Sequence, residues 1–251
     1  MNKAGISSIT LEPGADQHDA NIPQYHEPET MNDVQFETAR RMMVDCQIRP
    51  TKVTDERVLE AFATVPREMF VSKQQRSIAY VDEDLSLNCG RWLMEPMVQA
   101  RLVQALDVRM SDHVLIIGSA TGYGTAIMAQ LASSVISIET RAQLVEKSQE
   151  TLVSIDADNA AVIKSRLCDG YSTEGPYDRI LIEGAVAHMP EKLLEQLTPK
   201  GRLVAVWRPA DVPVGVASLW CRAGDGFART TLFDAQTPVL EEFRAKQEFV
   251  F

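Results

Sequence analysis

The stretch His113–Gly124, HVLIIGSATGYG, runs an apolar segment into a glycine-bearing turn, Gly118-Ser119-Ala120-Thr121-Gly122, and then into a helical pattern. Glycine lets the backbone turn sharply and approach a ligand closely, and a helix that starts there offers N–H groups with no partner inside the helix. A dinucleotide fingerprint reads G-x-G-x-x-G, and Ala120 stands where its second glycine belongs, so the turn alone is a weak signal. Two acids strengthen it. Glu139 ends the run VISIE, 21 residues after Gly118, where a carboxylate accepts hydrogen bonds from a ribose diol. Asp169-Gly170 follows a third apolar run and falls at the same edge. One acid alone reads as a helix cap or a solvated side chain. A glycine turn with two acids at successive strand ends points to a nucleoside held in a crevice at the carboxyl ends of parallel strands.

Such a constellation needs a sheet to align it, and the pattern after residue 112 supplies one. Strands are expected at His113–Gly118, Val135–Glu139, Ala161–Leu167, Asp178–Ile182 and Arg202–Trp207. Helices are expected over Thr121–Leu131, around Leu144, Val145 and Leu152, and over Glu191–Leu197. Repeated β-α-β units of this length imply an α/β, doubly wound, mostly parallel Rossmann-like sheet with right-handed crossovers. Val214–Cys221 and Ala228–Phe233, flanking Ala223-Gly224-Asp225-Gly226, read as an antiparallel C-terminal hairpin.

The preceding part is helical. Phe36, Ala39, Met43 and Cys46 share one helix face, and Pro50 ends that segment. Thr54 is the expected N-cap of a second helix carrying Val58, Leu59 and Phe62. Residues 65–90 read as loop with short extended pieces. Pro96 suits the first turn of a third helix whose buried stripe is Val98, Leu102, Ala105 and Leu106. Residues 1–30 hold five acids, one base and three prolines with no periodicity, and read as a disordered tail. Residues 31–251 then form one domain, with a helical N-terminal cap over 31–110 and a cofactor-binding sheet over 111–251.

Composition limits the function. The 251 residues are 45% hydrophobic and 24% charged, and 25 Lys+Arg against 35 Asp+Glu give a formal charge of −10. That balance argues against nucleic acid and against an anionic membrane as partners, because both need a basic face. No run approaches the ~20 apolar residues of a membrane helix, and the start lacks a secretory signal pattern, so a cytoplasmic location is expected. Cys46, Cys89, Cys168 and Cys221 are far apart, and the four histidines are equally scattered. No metal site is expected, and the thiols read as reduced and mostly buried.

The chain resembles a class I S-adenosylmethionine-dependent methyltransferase, and within that class the protein-L-isoaspartate O-methyltransferase family. The likeness runs from about residue 36 to 207. It is carried by Met43-Val44, Val53-Thr54-Asp55, Val58-Leu59 and the segment Val65-Pro66-Arg67-Glu68-Met69-Phe70-Val71. Tyr80, Asp82, Gly90 and Pro96 continue it in the region facing the substrate, and VLIIGSATGYG, ISIE, CDGY and YDRILIEGAVAHMPEKLLEQLTPKGRLV complete it. The resemblance implies S-adenosyl-L-methionine as cofactor and a protein or peptide bearing isoaspartate as partner, in protein repair. It places Gly118, Ser119, Thr121 and Gly122 around the methionine part of the cofactor. Glu139 would hold the ribose, and Asp169, with Gly170 beside it, the adenine amino group.

Three positions depart from the family pattern. The acid usually found two residues before the turn's first glycine is Ile116, and the middle glycine is Ala120. The family's GQTIS-x-P substrate loop reads Gly90-Arg91-Trp92-Leu93-Met94-Glu95-Pro96, so Trp92 and Met94 stand at its hydroxyl-bearing positions. Met94 has no proton to donate, and Glu95 adds negative charge where a carboxylate should dock. A carboxylate with pKa ~4 is already ionised at neutral pH, so methylating it rests on orientation and no catalytic base is assigned. The substrate-loop changes bear on the acceptor more than on the cofactor. Alternatives are a methyltransferase of the same fold with another protein or small-molecule substrate, and a cofactor-binding homologue that has lost catalysis. His188 is a general-base candidate but reads more readily as a loop residue, and Tyr123 suits pocket or core equally. Trp92 is either a substrate wall or loop packing, whereas Arg91 and Arg101 read as solvated.

Overall fold

The computed structural model describes residues 31–87 and 89–244, and the expected acidic tail, residues 1–30, lies outside them. Helix α1 (Asp33–Met43) opens with a reciprocal capping box between Asn32 and Gln35 and buries Phe36 and Met43. Helix α2 (Glu56–Thr64) is capped by Asp55, whose side chain accepts from the Arg57 amide at 3.0 Å. The cap thus falls one residue after Thr54. The Thr54 and Asp55 amides are both claimed by Gln104 Oε1, at 2.6 and 3.0 Å, which locks the approach to the helix. Two 3-10 turns, Arg67–Phe70 and Lys73–Ile78, lead to a two-residue antiparallel ladder, β1 (Leu85–Ser86) with β2 (Trp92–Leu93). Helix α3 (Pro96–Leu106) starts on its proline, as expected, and buries Val98, Leu102 and Leu106.

The sheet follows as β3 (His113–Ile117), α4 (Tyr123–Ala129), β4 (Ser134–Glu139), α5 (Ala142–Ser154), β5 (Ala160–Lys164), β6 (Tyr177–Val186), α6 (Glu191–Leu194), β7 (Leu197–Trp207), β8 (Gly215–Ala223) and β9 (Gly226–Ala235). Its order is β5-β4-β3-β6-β7-β8-β9. Pairs from β5 through β7 are parallel, and β7-β8-β9 are antiparallel, which is the expected architecture. The third sheet strand is shorter than its apolar run suggests, because Leu167 belongs to a 3-10 turn, Leu167–Asp169. The fourth is longer and continues through Gly184, with a register shift between Leu181 and Ala185.

Side chains alternate across the sheet with a period of two and feed two cores. Val114, Ile116, Leu181, Val204 and Val206 face the N-terminal helices, where Phe62, Phe70, Leu102 and Tyr123 pack. Leu115, Ile117, Ile138, Ile180, Ile182 and Leu203 face Leu167, Leu193, Leu240 and Phe243. The register pairs Ile117 with both Ile138 and Ile182. Gly118, Glu139 and Glu183 therefore lie together at one edge of the sheet, at the switch point where the chain leaves β5 and returns beside β3.

Candidate active site

The turn after β3 is left-handed three times over: Gly118 has φ +79°, Ala120 +49° and Gly122 +94°. Gly122 admits no side chain, since an added Cβ would run into Ser148 Oγ. Ala120 holds its conformation despite a cost of about 1–2 kcal/mol for a residue with a Cβ, and its amide donates to Glu139 Oε2 at 3.3 Å. Thr121 Oγ1 donates to the Phe70 carbonyl at 2.6 Å, tying the turn to the first 3-10 segment. Ser119 Oγ is buried with no hydrogen-bond partner. An orphaned buried hydroxyl in such a turn is a feature that a bound ligand would satisfy.

Glu139 is wholly buried and accepts from every side. The Thr140 and Arg141 amides reach Oε1 at 2.7 and 3.1 Å. Arg91, expected to be solvated, is instead 1% exposed. Its guanidinium forks onto Glu139, with Nε to Oε2 at 2.8 Å and Nη2 to Oε1 at 3.0 Å. The same guanidinium reaches Glu242 Oε1 at 2.7 Å. Two carboxylates thus share one cation. Burial raises the Glu242 carboxyl, but the Arg91 hydrogen bond and the backbone outweigh it and hold the group below its ordinary range.

Asp169 stands at the same edge, half-buried, and is ion-paired with Lys192 and, at 3.4 Å, with Arg166. The Lys192 hydrogen bond is the main reason its carboxyl lies below the usual value. Gly170 has φ +64°, and its Cα lies against the Gln196 amide. Ile116 lies in the core on the helix side of the sheet, so the missing family acid is replaced by packing. A different carboxylate stands nearby on the neighbouring strand. Glu183 accepts from Gln99 Nε2 at 2.5 Å and lies against the Gly124 Cα. Desolvation pushes it up to about 8.

The substrate-loop residues separate. Met94 is buried in the core, and its carbonyl accepts from Arg67 Nη2 at 2.7 Å, so its side chain is packing. Glu95 is half-buried, and desolvation, with Asp82, Asp84 and Glu83, lifts it to about 7. Trp92 is 39% exposed and lines a cavity of about 760 Å³ with Gly90, Ala187, Arg208, Pro238 and Glu241. Arg208 forms no ion pair among the described residues and gives a 3.3 Å bond to the Thr237 carbonyl. His188 is exposed and rests 6.1 Å from the Phe243 ring. Tyr123 is core, between Phe62, Phe70 and the Arg67 guanidinium. Arg101 covers the Phe233 ring at 3.5 Å, away from the site. The four thiols are free, yet none is fully buried as expected, and Cys46 is exposed. No group of three metal-ligating side chains occurs among the described residues.

Sequence reading missed Arg91, Glu183, Leu240 and Glu242. A run of apolar residues and acids, Pro238-Val239-Leu240-Glu241-Glu242-Phe243, after the last expected strand was the available signal.

The sheet order and the Gly118–Glu139 edge define a doubly wound α/β protein of the nucleoside-cofactor type. The profile of the protein-L-isoaspartate(D-aspartate) O-methyltransferase family matches residues 38–215, and the chain belongs to that family. The protein-L-isoaspartate O-methyltransferase of Methanoculleus marisnigri is 36% identical over 172 residues, 68% of this chain and 78% of its own. That of Bradyrhizobium sp. (strain BTAi1) is 33% identical over 201 residues, 78% of this chain and 91% of its own. A solved protein-L-isoaspartate O-methyltransferase shares the fold with a TM-score of 0.72 at 20% identity, over 81% of this chain and 67% of that one. A Plasmodium falciparum structure assigned to the same enzyme and solved with S-adenosyl-L-homocysteine gives 0.69 at 20% identity, over 81% and 98%.

Proposed function

We propose that this chain transfers a methyl group from S-adenosylmethionine to the α-carboxylate of isoaspartyl residues in damaged proteins, as a cytoplasmic repair enzyme. The observation that carries the reading is the family match over a chain whose left-handed turn and Glu139 meet at one sheet edge. The residues present fit the cofactor's polar groups. The Gly118–Gly122 turn and the orphaned Ser119 hydroxyl suit the amino-acid end, Glu139 a ribose diol, and Asp169 an adenine amino group. In this conformation Arg91 and Leu240 also claim that edge. The cofactor, when bound, supplies an electrophilic methyl on a sulfonium. The chain's own task is to exclude water and hold an already ionised acceptor oxygen in line, which needs no base. Arg208, half-buried in the cavity beside Trp92 and without an acid partner among the described residues, is placed to attract that carboxylate.

Calorimetric titration with S-adenosylmethionine, followed by methyl transfer to an isoaspartyl peptide and its aspartyl counterpart, tests the reading. Transfer to the isoaspartyl peptide alone is expected, and absence of binding overturns it. A second reading keeps the chemistry and changes the acid acceptor. It is favoured by Trp92 at the cavity rim and by Met94 in the core, which leave the loop without the family's hydroxyl. Transfer to other carboxylates with none to isoaspartate would select it.

A further inference from the structure

Beyond β9 the chain crosses the carboxyl edge of the sheet, outside the 38–215 span of the family match. Pro238 O accepts from the Ala185 amide at 2.9 Å, and the Leu240 amide returns a bond to Ala185 O at 3.0 Å. Val239 thereby pairs in parallel with Ala185 of β6, on the side that β3 vacates when it ends at Ile117. Leu240 packs directly on the turn. A Cβ built on Gly118 would lie 3.1 Å from its Cδ1, and one on Gly184 2.6 Å from its Cγ. Glu242 binds Arg91 and accepts from Thr140 Oγ1 at 3.0 Å, while its carbonyl accepts from Cys168 Sγ at 2.9 Å. Phe243 is fully buried, and its carbonyl accepts from the Ala187 amide at 3.1 Å.

These contacts touch the ends of β3, β4 and β6 and the turn after β5, the same edge that holds Gly118, Glu139 and Asp169. An apolar side chain covers the glycine of the turn, and a guanidinium takes the carboxylate suited to a ribose diol. We propose that residues 238–243 form an internal strap that competes with S-adenosylmethionine for this cleft, with the Arg91–Glu242 pair as its latch. The inference rests on the methyltransferase reading and adds its regulation. Cofactor binds the fraction of molecules with the strap lifted, so apparent affinity falls by that fraction. Whatever draws the strap away, a partner surface or the acceptor protein itself, then raises cofactor affinity without touching the cofactor.

The full chain and its Glu242→Gln variant test this. Gln keeps the shape and removes the charge from a half-buried position, so folding is expected to survive. S-adenosylmethionine affinity, read by calorimetry, should rise about tenfold in the variant, equivalent to about 1.4 kcal/mol. In the unaltered chain, S-adenosylhomocysteine should speed hydrogen exchange at the Leu240 and Phe243 amides. Leu240→Ala, provided its circular dichroism matches the parent, should tighten binding as well. Binding by the parent with unchanged affinity in both variants and unchanged or slowed exchange at 238–243 overturns the strap and leaves the methyltransferase reading standing. No binding by the parent or either variant overturns both. Binding by the parent, and more tightly by the variants, supports both.

Discussion

Arg91 decides more than its place in a loop suggested. Its guanidinium is buried between Glu139 and Glu242, and removing it leaves a wholly buried carboxylate supported by three backbone amides. Breaking a buried pair in this way costs about 3–5 kcal/mol when nothing else holds the ion, and the amides should reduce the loss. Arg91→Ala is therefore expected to destabilise by about 3 kcal/mol in urea denaturation, and a change near zero would mean that the pair is open in solution. Glu183 offers a test through pH. Its value of about 8 in the folded chain, set first by desolvation, lies above that of an ordinary carboxyl, so the native state keeps a proton that the unfolded chain releases. Stability should fall as pH climbs from the carboxylate range to about 8. Glu183→Gln should be neutral near pH ~4 and more stable by about 1–3 kcal/mol at pH ~8. A flat difference across that range would show that the native carboxyl ionises normally.

Among the elements, the loop between α2 and α3 is tied to its neighbours by the buried Arg67 as well as by Arg91. Arg67 donates from Nε to Ala79 O and from Nη2 to Met94 O, each at 2.7 Å, with its guanidinium 4.8 Å from the Tyr123 ring centroid. Arg67→Ala should lower stability by about 3 kcal/mol and accelerate hydrogen exchange over residues 84–95, while exchange in β3 and β4 keeps its ranking. Uniform acceleration instead would place Arg67 in the global core. This element, like the edge acids, was legible in part. VPREMFV and the glycine turn are local, and their spacing carries the meaning, so the shared carboxyl edge of Gly118, Glu139 and Asp169 could be placed from the sequence. The partners that close it could not. Arg91 is 48 residues from Glu139 and 151 from Glu242, and no periodicity links positions so far apart. The strap has too few backbone bonds to show a strand pattern, and the cap at Asp55 in place of Thr54 was decided by Gln104, 49 residues on.

Taken whole, the molecule carries a formal charge of −10, and the cavity beside Trp92, proposed to take the acceptor, holds Arg208 and Arg244 within that negative field. Isoaspartyl peptides with flanking lysines should show a lower KM than the same peptides flanked by glutamates, and the gap should shrink as salt rises. Equal KM values at low ionic strength would confine recognition to the cavity. Leu240 and Phe243 close the account of the sheet edge in another way. A ligand that enters a bare apolar trough removes hydrocarbon from water, and the heat capacity drops. Here Leu240 and Phe243 already fill the trough, and if the strap competes as proposed, an incoming nucleoside sends both out as it settles in. Measured at several temperatures, the binding enthalpy should therefore be nearly flat in the parent chain. In Leu240→Ala, which has less hydrocarbon to surrender, the enthalpy should slope more steeply downward, and identical slopes would mean that the two side chains never leave.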